Sequence, residues 1–186
     1  WHQISPTICM NYCREPTMSD MPESEPVMTK SILLENETEH AALASKVAGL
    51  LASKDDGAFV MFLQGDLGTG KTTFARGFIH GCGFDGTVRS PTYTLVEPYP
   101  IYGGRTCYHF DLYRLSDPEE LEFTGARDYF NETDVCLIEW PEKAAGYLPE
   151  ADWDSRFHYL PEGRQLEITA AGDRGIRLLL QTFPDE

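Results

Sequence analysis

The sequence is short of positive charge. Of its 186 residues, 15 are lysine or arginine and 30 are aspartate or glutamate, so the net charge is −15. A surface with this balance repels the phosphates of nucleic acids. A broad DNA- or RNA-binding face is therefore not expected unless another protein supplies it, and any site for a phosphorylated ligand must be local.

Cysteine pairs and long apolar segments are also scarce. Cys9 and Cys13 form a C-x-x-x-C pair, but no second pair follows to complete a metal site, and the remaining cysteines are isolated. We interpret all five (Cys9, Cys13, Cys82, Cys107, Cys136) as reduced thiols of a reducing cytosol. The densest apolar run, residues 58–63, is far shorter than the ~20 residues that span a bilayer. Because no export signal opens the chain, these features predict a cytoplasmic protein without a membrane span.

Proline is frequent near the N-terminus, where no apolar period accompanies it. The first 28 residues hold Pro6, Pro16, Pro22 and Pro26, a pattern typical of disordered segments. We therefore expect a disordered extension over residues 1–28. The remaining residues, 29–186, are numerous enough to form one domain with its own core.

The first half of this domain is predicted to alternate strands and helices. Residues 31–34 predict a short strand, and Thr38 is the expected N-cap of a helix that runs to about Ser53. The apolar run at residues 58–63 predicts a strand covered on both faces. A second helix is expected from Lys71 to about Gly81.

The second half is predicted to be richer in strands. Buried strands are expected at residues 106–112 and 134–138, with a helix beginning near Asp117 between them. Short strands are expected at residues 156–160, 165–170 and 176–181, with turns at Gly163 and at residues 172–173. This order predicts an α/β, P-loop NTPase-like three-layer fold with a mainly parallel sheet and an antiparallel C-terminal edge.

A glycine-rich segment joins the strand at 58–63 to the helix at Lys71. Residues 65–72 read GDLGTGKT, which matches the pattern G-x-x-x-x-G-K-[ST] of a phosphate-binding P-loop. Its glycines let successive backbone N–H groups point at phosphate oxygens, and the N-terminus of the helix adds positive charge. Lys71 is expected to reach the β- and γ-phosphates, and the Thr72 hydroxyl to bind Mg²⁺.

The P-loop predicts a nucleoside triphosphate as ligand, ATP with Mg²⁺. Thr73 either touches the α-phosphate or is a plain helix residue. The residues predicted to contact the nucleotide from this segment are Asp66, Leu67, Gly68, Thr69, Gly70, Lys71, Thr72 and Thr73.

Two acidic residues follow predicted strands. Glu139 ends the strand at 134–138, and Asp111 lies near the end of the strand at 106–112. Because ligands collect at the carboxyl edge of open α/β sheets, these carboxylates are candidates to hold Mg²⁺ or to activate the attacking water. The strand that holds Mg²⁺ usually ends in aspartate, so Glu139 is a variation. The alternative for each acid is an exposed residue that begins a loop.

Three further features are open to more than one interpretation. Residues 89–94, RSPTYT, lie where many P-loop proteins carry a loop that senses the γ-phosphate, and a plain loop is the alternative. His109 is interpreted as a core histidine rather than a catalytic one. Trp140, beside Glu139, is either an aromatic anchor at a site or part of the core.

Two motifs of other nucleotide-binding proteins are missing from the sequence. No N-K-x-D segment is present, which disfavours a guanine-specific GTPase, and no arginine-rich segment resembles the lid of nucleotide kinases. The leading hypothesis is therefore an ATPase. A P-loop kinase of a small metabolite and a binding module whose conformation ATP sets remain the alternatives.

Several segments in this order resemble the bacterial TsaE family, also called YjeE. They are GDLGTGKTTF at 65–74, SPTYTLVEP at 90–98, YHFDLYRL at 108–115, DPEELEF at 117–123 and LIEWP at 137–141. The P-loop is common to very many proteins, whereas the SPTYT and HFDLYR segments together are far more specific. Residues 1–28 match nothing in the family.

The resemblance implies a P-loop ATPase that is weak alone and acts in tRNA threonylcarbamoyladenosine synthesis. Its implied partners are TsaB and TsaD, of which TsaD modifies the adenosine beside the anticodon, so tRNA is contacted only through the complex. The chain alone is expected to be a monomer or weak oligomer. By resemblance Lys71, Asp111 and Glu139 serve catalysis, and Thr72 and Glu139 serve the metal. Trp140 matches the following aromatic, and Glu37 and Thr38 match the segment that borders the base.

Overall fold

The computed structural model describes residues 26–51 and 57–184. A seven-stranded sheet has the order β1-β7-β6-β2-β5-β4-β3. Its strands are β1 (Val27–Leu34), β2 (Phe59–Gly65), β3 (Val96–Ile101), β4 (Arg105–Asp111), β5 (Val135–Glu139), β6 (Trp153–Tyr159) and β7 (Arg164–Ala171). The helices are α1 (Glu37–Leu50), α2 (Lys71–Gly81), the single turn α3 (Glu120–Phe123) and α4 (Gly172–Thr182).

The centre of the sheet is parallel, as the buried apolar strands predict. Strands β6, β2, β5 and β4 pair in parallel, and β5 is buried along its whole length. The expected antiparallel C-terminal edge is confirmed by β7, which pairs antiparallel with both β6 and β1. The opposite edge is antiparallel too, because β3 pairs with β4 in that sense.

Two apolar cores lie on the two faces of the sheet. One joins α1, α2 and α4 to the sheet and includes Phe59, Phe74, Phe78 and Trp153. The other lies under α3 and the neighbouring short turns and includes Phe110 and other apolar side chains. The predicted three-layer α/β arrangement is therefore confirmed.

Helices α1 and α2 approach each other closely through glycine. A Cβ atom on Gly77 would lie 2.8 Å from the Cα of Ala41, and one on Gly81 would lie 2.7 Å from the Cα of Ser45. A larger side chain at either position would push the helices apart. This contact holds α1 along the second half of α2, and the start of α1 then lies beside the N-terminus of α2, where a Cβ on Gly70 would lie 2.8 Å from the His40 ring.

Three predictions about secondary structure are wrong, namely the N-cap at Thr38, the turn at residues 172–173 and the strand at residues 176–181. Asn36, not Thr38, caps α1, because its side chain accepts from the N–H of Glu39 and leaves Thr38 inside the helix. Residues 172–181 form α4 rather than a turn and a strand. Their buried positions, Gly175, Leu178, Leu179 and Thr182, have helical spacing.

Strand β3 was not predicted, since Pro98 and Pro100 argue against a strand. An edge strand tolerates proline because its outer N–H groups need no partner in the sheet.

Some predictions fall outside the described residues. Strand β1 begins at Val27, so only residues 26–28 of the expected extension at 1–28 are described. Cys9, Cys13 and the predicted helix end near Ser53 also lie outside. Cys82, Cys107 and Cys136 are free and buried. Among the residues described, no helix is long and apolar enough to cross a membrane.

Candidate functional site

The sheet topology brings the P-loop and the two predicted acids to one edge. Strand β2 leads into the P-loop, and its Leu63 pairs with Glu139 of the neighbouring β5. On the other side of β5, Asp111 of β4 pairs with Glu139. Because the three strands are parallel, their carboxyl ends lie together, which is where ligands bind in open α/β sheets.

The turn between β2 and α2 depends on glycine at Gly70. Its φ of 107° is strained for any residue with a Cβ, and such a Cβ would lie 2.8 Å from the His40 ring. The turn is also held by Thr69, whose hydroxyl donates to the carbonyl of Asp66 at 2.8 Å. The N-terminus of α2 is therefore presented without a side chain in front of it.

The Lys71 ammonium is held by the loop itself. Its Nζ donates to the carbonyls of Gly65 at 2.6 Å and Asp66 at 2.8 Å, and it lies 4.0 Å from the centre of the Trp140 ring. Burial lowers the pKa of Lys71, and the nearby carboxylates, those of Glu139 first, offset part of that effect. A negatively charged phosphate would replace weak carbonyl acceptors with a full opposite charge.

Thr72, Glu139 and His109 form a hydrogen-bonded series. The Thr72 hydroxyl donates to Oε2 of Glu139 at 3.0 Å, and Nε2 of His109 lies 2.8 Å from Oε1 of the same carboxylate. Glu139 and His109 are both almost completely buried. His109 is thus a core histidine, as predicted, but one that contacts a predicted site residue.

Asp111 joins the site to the loop at residues 89–94. Its Oδ2 accepts from the hydroxyls of Ser90 at 3.0 Å and Thr92 at 2.6 Å, and its Oδ1 accepts from the N–H of Tyr113. The carboxylate is buried rather than an exposed loop acid. A change in the charge or position of Asp111 would therefore alter the hydrogen bonds that hold this loop.

Trp140 has an unusual backbone for a large residue. Its φ of 60° and ψ of 48° are left-handed, a conformation that costs about 1–3 kcal/mol for a residue with a side chain. The turn directs the indole toward Lys71, and the ring also contacts Tyr113, with ring centres 5.0 Å apart. Trp140 packs partly against the second core as well, so both interpretations describe part of its surroundings.

These elements surround one cavity of about 620 Å³. Its volume falls within the range of about 300–1,000 Å³ typical of small-ligand sites. The predicted site residues that line it are Leu67, Gly68, Thr69, Gly70, Lys71, Thr72, Thr73, Asp111 and Glu139. Asp66 is not among the lining residues and instead contacts Lys71 and Thr69 through its carbonyl. Thr38 is exposed on α1 and does not line the cavity either.

Sequence reasoning missed one end of the cavity. Asn36 and His40 line it from the start of α1, and Arg164 lines it from β7, whereas Glu37, which also lines it, belongs to the segment that the resemblance places beside the base. Arg164 stacks on Tyr159, whose hydroxyl donates to the carbonyl of Leu67 in the P-loop. No local motif marks these residues, because they meet only when the antiparallel edge folds beside the P-loop.

His40 is a buried histidine with an unpaired nitrogen. It is 3% exposed, its ring stacks on Phe157, and its Nδ1 has no hydrogen-bond partner among the described residues. Burial lowers the pKa of His40, and the charge of Arg164 lowers it further, while Glu37 and Glu39 partly offset both. The folded protein therefore disfavours protonation of this ring.

This lowered pKa predicts a pH-dependent stability. Because the unfolded chain takes up the proton more readily, the free energy of unfolding should fall as pH drops below about 6.5, by at most about 1.4 kcal/mol per pH unit. Urea unfolding at pH 7.5 and 5.5 measures the loss. It should be smaller in His40→Leu, whereas the exposed His158→Leu should behave as wild type. An equal loss in His40→Leu and wild type would contradict the prediction.

Comparisons with known proteins agree on one family. The family model described as "Threonylcarbamoyl adenosine biosynthesis protein TsaE" matches residues 34–166. A Haemophilus influenzae protein described as tRNA threonylcarbamoyladenosine biosynthesis protein TsaE is 52% identical over 130 residues, covering 70% of this chain and 82% of the relative. A Bacillus subtilis protein with the same description is 38% identical over 138 residues, covering 74% and 76%. The crystal structure of Bacillus subtilis YdiB matches with a TM-score of 0.66 at 28% identity, covering 87% of this chain and 97% of that one.

Proposed function

This chain belongs to the TsaE family, and from that premise we propose that it is the ATP-binding, Mg²⁺-dependent ATPase subunit of tRNA threonylcarbamoyladenosine biosynthesis. The modified base is the tRNA adenosine next to the anticodon. The observation that carries the ATPase assignment is that the P-loop, Asp111 and Glu139 line one cavity. The ATPase domain is proposed to span residues 29–186.

Phosphate binding is assigned to the P-loop and Lys71. The backbone N–H groups at the start of α2 face the cavity mouth, and the Lys71 ammonium lies beside them. Lys71 exchanges its carbonyl acceptors for phosphate oxygens when the nucleotide binds. Asp66 is proposed to contribute through its carbonyl, which holds Lys71, and Thr73, which lines the cavity, is proposed to touch the α-phosphate. Thr38 lies outside the cavity and is proposed only to border the base.

The residues present fit a Mg²⁺ ion. The Thr72 hydroxyl and a carboxylate oxygen of Glu139 lie 3.0 Å apart, and hard oxygen atoms of this kind are the ligands that Mg²⁺ prefers together with substrate phosphates and water. We assign the metal to Thr72 and Glu139. Bound Mg²⁺ would neutralise negative charge on the phosphates. Asp111 is then proposed to orient the attacking water. Its hydrogen bonds with Ser90 and Thr92 would couple its position to that of the loop at residues 89–94.

TsaB and TsaD are proposed as protein partners, with tRNA contacted only through them. The net charge of −15 supports this division, because a protein this acidic repels the phosphates of tRNA. The chain alone is proposed to be a cytoplasmic monomer or weak oligomer. ATP turnover measured alone, with small-metabolite acceptors and with TsaB and TsaD tests the proposal. We expect slow turnover alone and a clear increase with the two proteins, whereas stimulation only by a metabolite would indicate a kinase.

ATP is expected to be preferred over GTP. The sequence lacks the segment N-K-x-D, by which guanine-specific GTPases hydrogen-bond the guanine base. Competition of unlabelled ATP and GTP against a fluorescent ATP analogue measures the preference. Equal affinities for the two nucleotides would contradict it.

A further inference from the structure

His109 lies directly behind the proposed metal-binding carboxylate. It precedes Asp111 by two residues on β4, so both side chains project from the same face of the strand. Its side chain is completely buried, and Nε2 lies 2.8 Å from Oε1 of Glu139. Oε1 of Glu139 is thus contacted by His109 and not by the P-loop. His109 does not line the cavity.

The two oxygens of Glu139 have different partners. Oε1 faces His109, and Oε2 accepts the Thr72 hydroxyl at 3.0 Å. A carboxylate on a flexible side chain can rotate and exchange its oxygens unless one of them is held. The contact with His109 therefore fixes the orientation of the Glu139 carboxylate, with its other oxygen toward Thr72.

The chemistry of the pair indicates which ring nitrogen carries the proton. An ionised carboxylate only accepts hydrogen bonds, so Nε2 of His109 must be the donor. Nδ1 has no hydrogen-bond partner among the described residues. A leucine here would fill the space but would leave Oε1 of the buried Glu139 carboxylate without its donor. Packing alone therefore does not account for a histidine here.

We propose that His109 is a positioning residue that donates from Nε2 to Oε1 of Glu139 and so holds Oε2 toward Thr72 and the metal. The inference rests on the proposed function for the role of Glu139. It resembles the arrangement in metal sites where a neighbouring group orients a ligand without touching the metal. His109 does not contact the nucleotide, so its loss acts on metal use rather than on nucleotide affinity without metal.

Two variants separate positioning from packing. His109→Leu keeps an apolar volume and removes the donor, whereas His109→Gln places an amide N–H at a similar reach. We expect His109→Leu to lower the apparent Mg²⁺ affinity of the ATP complex and the turnover by about 10- to 100-fold, with ATP affinity in EDTA unchanged. His109→Gln should recover most of the loss. The exposed His158→Leu and His158→Gln are the matched controls, and thermal unfolding of each variant establishes that it is folded.

The position of the proton on the His109 ring can be measured without ATP hydrolysis. Long-range ¹H–¹⁵N spectra of the full chain should show a proton on Nε2 of His109, whose ring signals are identified as those that vanish in His109→Gln. If wild type fails to hydrolyse ATP, the proposed function fails, while these spectra and the Mg²⁺ titrations still test the His109 inference. A proton on Nδ1 with Nε2 bare would overturn it. Wild-type Mg²⁺ dependence in folded His109→Leu, or a Gln variant no better than Leu, would overturn it as well.

Discussion

Lys71→Ala is expected to lower ATP affinity by about 100-fold or more. The ammonium is 4% exposed and is held at the mouth of the P-loop by the carbonyls of Gly65 and Asp66. Its loss removes a charge-assisted hydrogen bond to the β- and γ-phosphates, worth about 1.5–3 kcal/mol, and the long-range attraction of a poorly hydrated cation. Each 1.4 kcal/mol corresponds to a tenfold change in the dissociation constant.

Titration calorimetry with ATP and ADP, with and without Mg²⁺, measures this loss. The effect should be larger for ATP than for ADP, because the γ-phosphate loses its main point charge. Lys46→Ala, which removes an exposed lysine of α1, is the matched control and should bind as wild type. Wild-type affinity for ATP in Lys71→Ala would remove Lys71 from the phosphate site.

Thr72→Ala is a second comparison in the same titration. Its hydroxyl contacts Glu139 rather than the loop carbonyls, so its loss should weaken binding and turnover mainly where Mg²⁺ is present. In EDTA the variant should bind ATP as wild type does. A loss equal to that of Lys71→Ala in EDTA would show that Thr72 acts on the phosphates themselves.

Local patterns were sufficient wherever one element carries the whole signal. The P-loop and α2 follow from GDLGTGKT and the apolar spacing after it, and the observed helix, Lys71–Gly81, has the expected bounds. The buried β5 was likewise evident from its continuous apolar run. Each of these elements has a residue pattern that predicts one type of secondary structure, and its tertiary contacts agree with that type.

Predictions failed where contacts between distant segments determine the secondary structure or the lining of the cavity. Residues 176–181 form a short, mostly apolar run after Gly172 and Asp173, which suits a strand, but burial at Gly175, Leu178 and Leu179 selects the helix α4. Strand β3 contains two prolines and exists because β4 offers its edge. His40 and Arg164 reach the cavity from segments far apart in sequence, and only the assembled sheet brings them together.

The partnership of His109 and Glu139 was accessible in part. His109 and Asp111 share a face of β4 by the alternation of side chains, which is visible in the sequence. That β5 lies beside β4 with Asp111 opposite Glu139 is a result of sheet order, which no local pattern states. The histidine was therefore assigned to the core correctly, and its contact with the site carboxylate became visible only with the register.

Asp111→Asn and Glu139→Gln are each expected to reduce partner-stimulated ATP hydrolysis by roughly 100-fold or more. Positioning and charge stabilisation supply most of the catalysis in phosphoryl transfer, and both effects depend on a full negative charge in a water-poor cavity. Both carboxylates are at least nine-tenths buried. Nucleotide affinity should change only modestly, since the N–H groups of the loop and Lys71 still hold the phosphates.

The fold should survive both changes, for different reasons. Ser90 and Thr92 donate to the same oxygen of Asp111, so an asparagine whose carbonyl occupies that place keeps both hydrogen bonds and loses the one that the N–H of Tyr113 donates to the other oxygen. Glu139 accepts at both oxygens, and glutamine has only one acceptor. Glu139→Gln and Asp111→Asn should therefore each lose some stability, and thermal unfolding of each variant establishes that it is folded.

Single-turnover hydrolysis with TsaB and TsaD present, the proposed partners, is the decisive measurement for the two acids. Asp85→Asn and Glu162→Gln neutralise exposed acids outside the cavity and serve as matched controls. Such exposed changes usually shift stability by no more than about 0.5 kcal/mol, and their hydrolysis rates should stay at wild type. If Asp111→Asn and Glu139→Gln hydrolyse ATP at the same rate as these controls, neither acid serves the reaction. The P-loop would then bind a nucleotide without the catalytic groups that β4 and β5 are proposed to supply.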